Sequence, residues 1–166
     1  MKKILLVLVV LFIANIGCKK VSMNGGNTCA CSPVQGPAML LVIQDANGQD
    51  LLDPQTNGAL AKDKIDVYRK DAAGKIIPLY FEIRPQFSYG EQKFKYYQLS
   101  LPELGFVQRG TPGTAYLKLG SAEPREVTIE LSQTSNQVVK VTIDKKEAQR
   151  DADTIANYAS VFYLKI

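Results

Sequence analysis

From Pro37 onward the chain is a succession of short apolar or alternating runs separated by turn residues, and this rhythm limits the folds open to it. Val127, Ile129 and Leu131 alternate with Glu126, Thr128 and Glu130. A period of two puts every second side chain on one face, which is the signature of a half-buried strand. Ala115, Leu117 and Leu119 repeat the pattern against Tyr116 and Lys118. So do Ile65, Val67 and Arg69 against Asp66, Tyr68 and Lys70. Val139, Val141 and Ile143 follow a Ser135-Asn136 turn, and Phe162, Leu164 and Ile166 form a final strand. Ala38–Gln44 is almost wholly apolar, as a strand covered on both faces would be. Asn47-Gly48 and Asp71-Ala72-Ala73-Gly74 supply turn chemistry.

Three stretches are less regular. Ile77, Leu79, Phe81 and Ile83 fall on one face of an expected strand, with Pro78 demanding an edge or a bulge because it has no N–H to give. Lys93–Leu101 carries Phe94 and Tyr96 on one face and Tyr97, Leu99 and Leu101 on the other, and Pro102 ends it. Asp144–Ala159 contains good helix formers without a wide apolar face, so either a helical turn or a long loop fits. About eight strands at short spacing with little helix predict an all-β fold, an antiparallel β-sandwich of immunoglobulin-like or transthyretin-like architecture. A closed barrel is the alternative.

The N-terminal segment has a different character. Lys2 and Lys3 precede an unbroken apolar run from Ile4 to Ile13, and Ala14-Asn15-Ile16-Gly17-Cys18 follows. A basic start, a short apolar core and a small residue form a secretory signal. The run falls short of the roughly 17–25 apolar residues that a membrane-spanning helix needs. A buried core element is the plainer reading, but no polar face interrupts the run. Asn15-Ile16-Gly17-Cys18 resembles the bacterial lipobox, with Asn15 where the pattern usually has an aliphatic residue. The resemblance implies loss of residues 1–17, a slack signal of the Bacteroidetes type, and lipid attachment at Cys18. One acyl chain binds a membrane only marginally and two or more hold firmly.

Processing at Cys18 would leave 149 of the 166 residues, enough for one domain with a sizeable core. It would also remove two of the 20 basic side chains and none of the 16 acidic ones, leaving a nearly neutral protein. No basic cluster with interleaved aromatics is present, so the sequence does not read as a nucleic-acid binder. Residues 18–36, rich in Asn, Gly and Ser, read as a flexible tether, and residues 37–166 as the sandwich. Cys29-Ala30-Cys31 in that tether could form a local disulfide, remain free thiols or hold a soft metal.

Leu51-Leu52-Asp53-Pro54, following Asp45-Ala46-Asn47-Gly48-Gln49-Asp50, resembles a group of small Bacteroidetes-type lipoproteins with a lipobox, a short tether and one β-sandwich. Tyr116-Leu117-Lys118-Leu119 is similar to their later portion. The resemblance implies an envelope location, with the outer membrane as the site and the facing direction open. Lys19-Lys20 lacks the acidic residues that resemble a surface-export signal, which favours a periplasm-facing anchor.

The chain has no histidine, which removes Ser-His-Asp and Cys-His catalysis and histidine-based zinc sites. No Ser-x-x-Lys and no glycine-rich phosphate loop occurs. The sequence therefore reads as a non-enzyme without a required cofactor. Asp45, Asn47, Asp50 and Asp53 bring together oxygen ligands of the kind that hold Ca²⁺, though not at EF-hand spacing, and the same residues also shape turns. Tyr89, Tyr96 and Tyr97 could present a stacking surface for glycan or protein, or simply pack a sheet. Asp153-Thr154-Ile155 resembles the O-glycan acceptor of exported Bacteroidetes proteins, which makes Thr154 a candidate modification site. The partners expected are a membrane through the lipid, and an envelope protein or glycan.

Overall fold

The computed structural model describes residues 39–105, 114–135, 137–152 and 159–166. Cys18, Cys29, Cys31 and Thr154 lie outside the described residues, as do the expected signal and tether. Thirteen strands are present among the described residues. They are β1 (Met39–Gln44), β2 (Ile65–Lys70), β3 (Ile76–Pro78), β4 (Glu82–Arg84), β5 (Phe87–Tyr89), β6 (Gln92–Phe94) and β7 (Gln98–Leu101). The second half adds β8 (Ala115–Leu119), β9 (Arg125–Leu131), β10 (Val138–Ile143), β11 (Lys146–Glu147), β12 (Gln149–Arg150) and β13 (Ser160–Lys165). A 3₁₀ turn, Lys62–Lys64, leads into β2.

The strands form three sheets: five strands in the order β12-β13-β1-β7-β4, six in the order β11-β10-β9-β8-β2-β3, and the β5-β6 hairpin. The fold is all-β and open, and it is sandwich-like because the two large sheets bury their apolar faces in one core. Met39, Leu41, Ile43, Leu99, Leu101 and Phe162 enter it from the five-stranded sheet. Ile65, Val67, Leu117, Val127, Val141 and Ile143 enter from the six-stranded one. These are the positions that the period of two selects. Truncating a core residue such as Phe162, only 1 % exposed, to Ala costs about 3–5 kcal/mol.

Several expectations are corrected. The pairing is mixed, because β1 runs parallel to β13, with Met39 opposite Ser160 and Gln44 opposite Lys165. The remaining pairings among the described residues are antiparallel, and the strands are short and more numerous than the eight expected. The single strand expected through Ile77 and Ile83 is cut in two. Ile76–Pro78 closes the edge of one sheet, and the chain then crosses so that Glu82–Arg84 closes the edge of the other. Pro78 does sit on an edge strand. In β10 the register shifts between Val138 and Lys140, which buries Val138 and leaves Val139 37 % exposed. A bulge of this kind reverses the facing of whatever precedes it. The polar segment expected as a helical turn or a long loop makes the short strands β11 and β12 over 144–152, and 153–158 lie outside the described residues.

β1 is buried along its whole length, on both faces. Leu40 and Val42 point away from the main core into a second cluster with Phe94 and Val161, against which Phe87, Tyr96 and Tyr163 pack. The β5-β6 hairpin supplies two of those rings, Phe87 and Phe94, 5.4 Å apart. The outer face of the five-stranded sheet is therefore roofed locally by aromatics.

Candidate functional site

The four oxygen-bearing residues of the first loop are engaged in building it. Asp45 Oδ1 accepts the backbone N–H of Asn47 at 2.9 Å and of Gln49 at 2.8 Å. The Gly48 N–H returns to the Asp45 carbonyl at 3.0 Å, and Gly48 has φ +81°. Asp71-Ala72-Ala73-Gly74-Lys75 makes the same turn: Asp71 Oδ1 accepts Ala73 and Lys75 N–H at 2.9 Å each, and Gly74 also has φ +81°. The aspartate in each turn takes up two orphan donors, while glycine takes the left-handed position that other residues adopt only with strain.

Asp50 spans a longer distance. Its Oδ1 accepts Leu52 N–H at 2.9 Å, and its Oδ2 accepts Tyr97 N–H at 2.6 Å across 47 residues of sequence. Partial burial pushes its carboxyl above the ordinary carboxylate value, against the backbone N–H groups of Tyr97, Leu52 and Asp53 that pull it down. Asp53 Oδ1 accepts Gln55 N–H at 2.9 Å in the next turn. Among the described residues, no three His, Cys, Asp or Glu side chains form a group able to hold a metal ion.

Of the tyrosines expected to matter, Tyr96 packs in the second cluster, edge-on to Phe94 at 5.8 Å and to Tyr163 at 5.9 Å. Tyr97 packs against the main core. Tyr89 lies in β5, paired with Gln92. The Tyr163 hydroxyl donates to Asp151 Oδ1 at 2.9 Å. Asp151 is only 7 % exposed, and its Oδ2 has no hydrogen-bond partner among the described residues. Nothing in the sequence around Asp151 marks it as buried.

The structure instead assembles a surface around Tyr68 and Tyr116, directly opposite one another on β2 and β8. Their rings stack with centroids 5.3 Å apart, and Lys70 Nζ lies 4.9 Å from the Tyr116 centroid. Beside this pair, where the chain crosses between sheets at Leu79–Phe81, a groove of about 390 Å³ opens. Ile65, Val67 and Leu79 line it, all residues of the main core, together with Tyr68, Phe81 and Pro124. Lys118 and its cross-strand neighbour Asp66 also line it, and Lys62 Nζ lies 5.5 Å from the Phe81 centroid. The alternation of Tyr68 and Tyr116 with apolar neighbours was the sequence signal for two outward tyrosines. Their adjacency required the pairing of β2 with β8.

Next to the groove the Tyr80 hydroxyl donates to Glu82, which also accepts from Arg84 Nε at 3.3 Å. The bond to Glu82 raises the tyrosine hydroxyl above its usual range, and the same bond, then that from Arg84, lowers the Glu82 carboxyl. All three groups are on the surface.

No helix among the described residues is long and apolar enough to cross a membrane. Comparison with protein-family models, with curated proteins and with solved structures finds no match. Function therefore has to be read from the chain itself. Among the described residues it offers an all-β domain without a metal-binding cluster or a catalytic constellation.

Proposed function

We propose that this chain is a lipid-anchored envelope lipoprotein whose β domain is a non-enzymatic binding or accessory module. The observation that carries the reading is Lys2-Lys3, the apolar run Ile4–Ile13 and the small residue before Cys18. Such a segment directs export and presents one cysteine for acylation. The absence of histidine, and the carboxylates spent on turns rather than paired across a cleft, support a role in binding rather than in chemistry. The finer reading of the domain as an immunoglobulin-like or transthyretin-like sandwich draws support from the core shared by two sheets.

Cell fractionation of the wild type and of Cys18→Ala tests the anchor. The wild type stays with the membrane fraction and the variant moves to the soluble fraction; equal membrane retention of both would overturn the reading. In-cell crosslinking followed by solubilisation tests the module, and a reproducible envelope partner is the expected result.

A further inference from the structure

Two Asn-Gly pairs, Asn47-Gly48 and Asn57-Gly58, lie among the described residues, and the fold treats them differently. Glycine puts only hydrogen beside its own backbone nitrogen, so that nitrogen can approach the Cγ of the preceding asparagine and close a five-membered ring. Whether the ring closes depends on whether the glycine N–H is already held in a hydrogen bond.

Gly48 is held. Its N–H donates to the Asp45 carbonyl at 3.0 Å, which makes it the last residue of the turn 45–48. Asp45 fixes the asparagine as well, accepting Asn47 N–H on Oδ1 at 2.9 Å and Asn47 Nδ2 on Oδ2 at 3.4 Å. Ring closure at Asn47 has to break into this set of bonds.

Gly58 has a different place in its turn. Ala59 N–H donates to the Thr56 carbonyl at 3.1 Å, so the turn spans 56–59, with Asn57 and Gly58 as its central residues. The φ of +81° at Gly58 suits the third position of a type II turn. The bond of a β-turn joins its first and last residues, and the third residue's N–H takes no part in it. Gly58 N–H and the Asn57 side-chain amide accordingly make no hydrogen bond among the described residues, and both residues are exposed. A Cβ built at Gly58 would meet nothing within 4 Å, so the space for ring closure is open. The loop is tied at its base, where Leu60 N–H donates to the Leu51 carbonyl at 2.7 Å.

We infer that Asn57-Gly58 is a site of spontaneous deamidation, a self-modification that consumes only water, and that Asn47-Gly48 is protected by its turn. Hydroxide takes the proton from the Gly58 nitrogen, which attacks Asn57 Cγ. The new C–N bond closes a cyclic imide, and the Cγ–Nδ2 bond breaks, with Nδ2 leaving as ammonia after taking a proton from water. Water then opens the imide at either carbonyl, leaving aspartate or its iso form at position 57. The product adds a carboxylate, and in the iso form one main-chain carbon, to a loop whose base stays tied to the core through Leu51 and Leu60. The site is independent of the lipid anchor and of any ligand for the domain, and it lets the surface charge record the age of the molecule.

Incubation of the full chain in mildly alkaline heavy-oxygen water, followed by peptide mapping with electron-transfer fragmentation, is the test. Breaking the bonds around Asn47 slows its reaction, so conversion at Asn57 should run at least about tenfold faster. Both iso and normal aspartate should appear at position 57, each carrying heavy oxygen. In concentrated urea, where neither turn persists, the two rates should converge to within about threefold. Equal rates in the folded chain, or an advantage of Asn57 that survives unchanged in urea, would overturn the structural account. Normal aspartate alone at position 57 would mean direct hydrolysis of the side-chain amide and would overturn the imide route.

Discussion

Replacing Asp50 by asparagine tests which of two opposed forces governs this carboxylate. In the wild type its two oxygens each meet a backbone donor, Leu52 N–H at 2.9 Å and Tyr97 N–H at 2.6 Å. An amide has one acceptor oxygen, so whichever way the new side chain turns, one backbone N–H faces an NH₂. Leaving a partly buried donor unsatisfied costs about 1–3 kcal/mol. Near neutral pH, Asp50→Asn should lose about that much, less whatever is recovered by no longer burying a charge. The pH dependence discriminates further. Burial raises the folded-state pKa of Asp50 above 3.8, which means that the folded protein binds its proton more readily than the unfolded chain does. Stability from this group then falls as pH rises from 3.8 through the folded value, and grows as pH falls through the same window. Urea unfolding of wild type and variant between about pH 3 and 7 should therefore show the gap widening toward acid, since the variant has no proton to take up there. A gap that narrows toward acid would mean that the N–H bonds outweigh burial, and burial would no longer explain the behaviour of Asp50.

Other substitutions probe the remaining elements. Phe94→Ala empties the centre of the aromatic roof over β1 and should cost about 3–5 kcal/mol by thermal or urea denaturation; a loss under about 1 kcal/mol would show that the roof contributes little to stability. Asp144 and Lys145 have φ of 50° and 64°, so Lys145→Gly should raise stability by about 1 kcal/mol in the same assay, with no change requiring another account of the turn. Tyr163→Phe removes a donor from the buried Asp151 carboxylate and should cost about 1–3 kcal/mol, whereas a neutral result would imply that Asp151 is satisfied from elsewhere.

Much of the fold was legible because burial acts on alternate residues. Phe94 and Tyr96 do go to one cluster while Tyr97, Leu99 and Leu101 go to the other core, as their alternation requires. β1 is covered on both faces, as its unbroken apolar run implies. Alternation, however, is silent about which sheet a strand joins. Ile77 and Ile83 share a parity yet end in different sheets, because the chain crosses between them. It is equally silent about partners far along the chain, so neither the parallel pairing of β1 with β13 nor the Tyr68–Tyr116 stack could be read in advance. Asp45 and Asp50 carried oxygen chemistry in sequence, but their oxygens turn inward to backbone N–H groups, which composition cannot distinguish from metal ligation.

The parallel pairing also has a mechanical meaning. β1 lies between β13 and β7, and Ile166 N–H extends the β13 ladder to the Gln44 carbonyl at 2.9 Å. Because β1 and β13 run the same way, Met39 and Lys165 are at opposite ends of a ribbon about 20 Å long. A pull at residue 39 resisted at residue 165 would load the rungs between those strands together, in shear, instead of peeling them one by one. If the chain is tethered through its N-terminal segment, the strand that receives the tension is the one most deeply clamped, and the domain would yield late under stretching along that axis.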